Sequence, residues 1–215
     1  MNANRLPGLY GLVVFLSAAI LLVLEIVAGR LLAPYIGVSL YTWTSIIGVI
    51  LAGLSLGHWI GGKLADRGAG HLTVGVVLLV AALTTLAILP LLLMVAASLQ
   101  DQAIGLLGAS FVYVLCLFFI PAAAIGVISP LLTTLALALD SRAGSVVGRM
   151  HALSAVGSIL GTFIAGYWLV QWLGTRTIIW SSAAALFLMA LPFLVTRARG
   201  IGTITGSLVL SLINI

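Results

Sequence analysis

The sequence predicts an all-α, polytopic membrane protein with six to seven transmembrane helices, forming one domain over residues 1–215. Three observations carry that expectation. The chain is 63% hydrophobic and 6% charged, with a mean hydropathy of +1.34, whereas soluble domains are about 25% charged. Apolar runs of about 20 residues, long enough to cross a bilayer core, follow one another along the chain. The basic residues alternate between loops. Arg5, Lys63, Arg67, Arg142, Arg149, Arg197 and Arg199 fall on one side, and Arg30 and Arg176 on the other. The positive-inside rule then places the N-terminus in the cytoplasm.

The predicted spans are residues 8–29, 40–62, 72–97, 103–126, 151–173 and 177–195, with a weaker one at 201–215. The first follows Arg5 as a signal peptide would, but it exceeds the usual apolar region of about 7–15 residues. Glu25 and Arg30 also stand where a cleavage site would be expected, so it reads as a retained helix. Residues 127–139 are apolar but too short to cross; they extend the fourth helix past Pro130 or lie at the interface. Pro121 and Pro130 each remove an amide donor and predict a kinked or broken element there. The chain ends on SLVLSLINI, which fits either a short last span or a natural protein that continues. No soluble domain fits between the spans.

Small residues recur every four positions at Gly53, Gly57 and Gly61, and again at Gly157 and Gly161. In lipid such stripes let backbones approach closely. They predict tight helix packing, a sliding surface between two states, or docking of a second copy or another protein. Trp43 with Tyr41, Trp59, and Trp168 with Trp172 lie near span ends, where aromatic side chains anchor at the membrane surface or stack on a ligand. Cys116 has no disulfide partner and reads as a small packed hydrophobe.

Little chemistry is written in the spacing. His58, His71 and His151 are never three or four apart, so no metal site is expected. His71 reads as a solvated loop residue, and His58 as a packed donor or a step on a proton path with Glu25. No phosphate loop, paired carboxylates or Ser/His/Asp set is present, so no catalytic residue and no cofactor are expected. The net charge of +5 is scattered between apolar runs, which excludes a nucleic-acid face.

Glu25 is the exception. A carboxylate inside a span costs about 2.5–3.5 kcal/mol to insert and needs a partner, a bundle interior or a wet cavity. Arg30, five residues on, is about 140° away around the helix and does not share its face. Arg149 and His151 open the fifth helix from the cytoplasmic side, so Arg176 is the better cationic partner by depth. Glu25 is then a hydrogen-bonded anchor between helices, or a cation or proton site that Tyr35, Tyr41 and Trp43 would complete through cation–π contacts.

Residues 62–67, Gly-Lys-Leu-Ala-Asp-Arg, resemble the cytoplasmic loop motif between helices two and three of major facilitator transporters. Asp66 would cap or neutralise a helix end there while Lys63 and Arg67 hold the cytoplasmic side. The match stops at Gly68-Ala69-Gly70-His71, where that family carries further basic residues. Residues 24–67, 126–131 and 147–174 together resemble the membrane domain of bacterial fused spermidine-synthase-like proteins. The resemblance implies half of a major-facilitator-type bundle in a bacterial cytoplasmic membrane, handling polyamines or a related cation. One half lacks a second wall, so transport would need a homodimer or another partner. The soluble aminopropyltransferase-like domain is absent and could be a separate protein, so the chain itself is not expected to be an enzyme. The other reading is a non-transporting anchor or subunit that docks a soluble enzyme or a larger membrane complex.

Overall fold

A computed structural model describes residues 6–99, 105–140 and 142–213, with side chains described up to Val195. Arg5, and the side chains of Arg197, Arg199 and the proposed last span 201–215, lie outside that description. Among the described residues, helices joined by short turns follow in the order α1 (Leu6–Ile36), α2 (Leu40–Asp66), α3 (His71–Leu86), α4 (Ile88–Leu99), α5 (Leu106–Leu137), α6 (Ala143–Trp172) and α7 (Gly174–Ile213). Five helices are long and apolar enough to cross a membrane, or six if α3 and α4 form one bent span. Six crossings agree with the lower bound of the expected six to seven, and the side chains of the proposed seventh span lie outside the described residues. Residues 177–195 and 201–213 share the single backbone helix α7, with no break between them.

The helix ends follow from local sequence. Gly37 (φ 69°) leaves α1, and Ser39 caps α2 by accepting the Thr42 amide at 3.2 Å. A serine there satisfies a donor that the first turn leaves unpaired. At the other end of α2, the Gly68 and Ala69 amides return to the carbonyls of Ala65 and Leu64. Gly68 (φ 77°) supplies the left-handed residue this turn requires. The end of α2 is therefore capped by a glycine turn and not by Asp66, whose carboxylate cannot pair with exposed carbonyls.

The third crossing is bent by 43° between α3 and α4. Pro90 lies four residues after Leu86, the last residue of α3, and its ring clashes with the carbonyl at that distance. In contrast, α5 runs unbroken through Pro121 and Pro130 and absorbs residues 127–137. Neighbouring helices tolerate prolines in this way inside membranes. In α6 one π turn, Ala165–Leu169, interrupts the α path.

Close approach organises the bundle. α2 packs along α5, α1 along α6, and α3 along both α7 and α5. A Cβ added at Gly53 would lie 2.7 Å from the Phe119 carbonyl, and one at Gly61 2.7 Å from that of Val127. Gly57 is tighter still against Ala123, as are Gly157 and Gly161 against Phe15 and Ala19. Both stripes are buried inside the chain. This corrects the docking expectation for these five glycines, because their faces are already filled by α5 and α1. Cys116 is also corrected: it is exposed on the surface of α5.

A polar cleft between α2 and α6

The α2–α5 and α1–α6 pairs lie side by side, joined where α1 touches α5. That leaves a cleft with α2 and α6 as walls and α1 and α5 as floor. Its deeper part is small, about 70 Å³, and is lined by Ser17, His58, Ser129, Ser154 and Ser158 among apolar residues. A wider part of about 300 Å³ adjoins it, sharing His58 and Ser129 and adding Thr133, Thr134 and His151. Ser17 and Thr133 donate to carbonyls of their own helices. Ser129, Ser154 and Ser158 have no side-chain hydroxyl bond among the described residues, so their hydroxyls are free for a guest.

The two histidines meet for a geometric reason. His58 lies about eight residues before the end of α2, and His151 about eight after the start of α6. At 1.5 Å per residue both sit ~12 Å from the same end of the bundle. Both side chains are exposed into the cleft. Sequence spacing within a helix could not reveal the pair, but equal depth from the two loops is a signal that would have. Among the described residues no group of three or more His, Cys, Asp or Glu could hold a metal, and the cleft itself brings together only two such residues.

Glu25 is half-buried and makes no hydrogen bond or ion pair among the described residues. The anchoring expectation is therefore not met, nor is the pairing with Arg176, which is exposed. Ala18, Leu21 and Leu22 line the deep part of the cleft. Glu25 follows them by seven, four and three residues, so it lies one turn farther along the same face of α1.

The expected aromatic cage does not assemble around it. Trp43 packs its indole against Gly29 and shares a cavity with Arg30, whose positive charge opposes a cationic guest. Tyr35 pairs with Tyr113, with ring centroids 5.8 Å apart, and Tyr41 is exposed.

The other charged residues mark the two ends. Lys63 lies 3.6 Å over the Trp59 ring, while Asp66 and Arg67 are exposed. Arg149 faces Pro7, Gly8 and Phe15 at the start of α1, too far along the bundle to meet Glu25. Between α5 and α6, Arg142 contacts Asp140 at 3.2 Å. The side-chain hydrogen bond from Arg142 holds the Asp140 carboxyl below its ordinary range.

His71 corrects the loop expectation. It opens α3, and its Nε2 is hydrogen-bonded to Tyr10 Oη, with Phe193 stacked against both rings. This cluster ties α1, α3 and α7 together at one end. Tyr10→Phe is expected to cost about 1 kcal/mol, a typical net value for one hydrogen bond. Denaturation by sodium dodecyl sulfate measures it, and an unchanged midpoint in both Tyr10→Phe and His71→Ala would refute the clamp.

Fold and cleft together define a class: an all-helical chain with five or six helices of membrane-spanning length and apolarity, carrying a polar cleft. Comparison with protein-family models, curated proteins and solved structures gives no match.

Proposed function

We propose that the chain is a transporter-like membrane domain whose path is the cleft between α2 and α6. The observation that supports this reading is the run of polar groups that four helices bring to the adjoining parts of the cleft, His151 and His58, then Ser17, Ser129, Ser154 and Ser158, with Glu25 one turn beyond the cleft lining on the same face of α1. Polar side chains are costly in lipid and persist where they serve a solute, an ion or a proton. A carboxylate without a cationic partner takes up a proton or an external cation. An amine-bearing solute, polyamines included, fits that sequence of groups. Imidazole nitrogens and hydroxyls would hydrogen-bond its N–H groups, and Glu25 would balance one charge. In this reading the protein lies in a bacterial cytoplasmic membrane with its N-terminus in the cytoplasm, so the histidine end of the cleft opens inward.

The test is uptake of labelled spermidine into liposomes holding the folded, oriented protein. His58→Ala is expected to lower the initial rate at least tenfold. Absence of uptake by the wild-type protein across spermidine and smaller amines would sink the transport reading.

One observation favours a second reading. Only 17% of the apolar membrane-spanning stretch of α6 is buried within the chain, which suits a helix that packs against another protein. A stoichiometric partner co-purifying with the chain, such as an aminopropyltransferase-like enzyme or a larger membrane complex, would support a docking subunit.

A further inference from the structure

A second cavity lies at the opposite end of the bundle from His71, at the turn between α1 and α2. Its volume is about 390 Å³, and α1, Trp43 at the start of α2, and the π turn of α6 enclose it. Arg30 is the one charged residue in its lining; Ile26, Ala33, Val38 and Val170 supply apolar walls. Arg30 makes no ion pair or hydrogen bond among the described residues, and Glu25 points about 140° away around the helix. Gly29 seats the Trp43 indole, which a Cβ there would meet at 2.9 Å. Across the cavity, a Cβ at Gly166 would meet nothing within 4 Å.

We propose that this cavity binds an anionic phospholipid, with the Arg30 guanidinium on the headgroup phosphate and the upper acyl chain against the apolar walls. The proposal rests on the membrane-spanning reading and not on transport. An unpaired guanidinium at the end of a spanning helix calls for an anion, and its planar fork matches phosphate oxygens. The walls argue for a lipid over a soluble anion, because a free phosphate gains nothing from apolar surface. Trp43 is suited to its place, since tryptophan sits at headgroup level with its ring toward the chains. Basic pockets between membrane helices bind lipid headgroups by this combination of charge and apolar depth.

The full chain would be reconstituted in nanodiscs with equal phosphatidylglycerol and phosphatidylcholine, and the retained lipid counted by native mass spectrometry. Phosphatidylglycerol is expected to be enriched roughly fivefold, the effect of one basic residue on an anionic lipid. Arg30→Gln should erase the preference and Arg30→Lys keep most of it. Gly166→Leu, which grows into open space, should displace the lipid with Arg30 intact. Unchanged enrichment in Arg30→Gln, or unchanged lipid in Gly166→Leu, overturns the proposal. So does displacement of phosphatidylglycerol by millimolar inorganic phosphate, which would make this a site for the free anion. Each variant is compared only where its helical circular dichroism and elution match the wild type; if Arg30→Gln fails that check, Gly166→Leu decides.

Discussion

Gly57→Val is expected to destabilise the fold strongly. The position faces the Ala123 carbonyl and the Gly126 backbone. No side chain there can rotate aside, so α2 and α5 would have to separate. Overpacking in a well-filled core costs typically 1–3 kcal/mol, and a backbone–backbone contact puts this change at the upper end or above, about 3 kcal/mol. Gly62→Val is the matched control: the same helix and the same change in intrinsic helix propensity, with nothing within 4 Å of the added Cβ. It is expected to stay within about 0.5 kcal/mol of wild type, as surface changes do. Gly157→Val should repeat the loss at the α1–α6 seam. The measurement is the midpoint of unfolding in mixed micelles, followed by helical circular dichroism. Equal midpoints for Gly57→Val and Gly62→Val would mean that α2 and α5 do not approach as described.

That pair of glycines shows what the sequence could tell. A four-residue spacing reports a close helix contact, because only small residues leave room for it. It does not name the partner helix, since spacing is a property of one helix alone. The loss of the docking reading for Gly53, Gly57 and Gly61 follows from that: they contact Phe119, Ala123 and Val127 of α5, far away in the chain. The spans were legible from apolar length, and their ends less so. Pro90 bends the third crossing while Pro121 and Pro130 leave α5 continuous. The same residue type gives opposite results because surrounding helices, which the local sequence does not describe, decide whether a freed carbonyl is tolerated. Of the cleft, Glu25 was legible as a cost without a known return. His58 and His151 were visible singly, and only the fold made them a pair. The Tyr10–His71 contact was hidden because His71 falls beside the glycines Gly68 and Gly70, which read as loop, while it in fact opens a helix.

Glu25→Leu is expected to leave the melting temperature unchanged or raise it, while abolishing uptake of an amine substrate. The two halves of that expectation have separate origins. Breaking a buried ion pair by removing one partner costs about 3–5 kcal/mol, because the remaining charge is stranded. Glu25 has no such partner among the described residues, so its removal strands nothing. The variant instead sheds an insertion cost of about 2.5–3.5 kcal/mol, which should appear as more inserted protein at equal expression. On the transport reading, a carboxylate that costs this much and makes no hydrogen bond or ion pair among the described residues acts on a guest. Glu25→Gln separates charge from shape: it preserves size and hydrogen bonding, and it too should lose uptake if the carboxylate balances a cation. A fall in the melting temperature of Glu25→Leu comparable to that of a broken ion pair would reveal a structural partner and return the residue to an anchoring role. A stable variant with wild-type uptake would instead remove Glu25 from the path and leave the histidine pair to carry it.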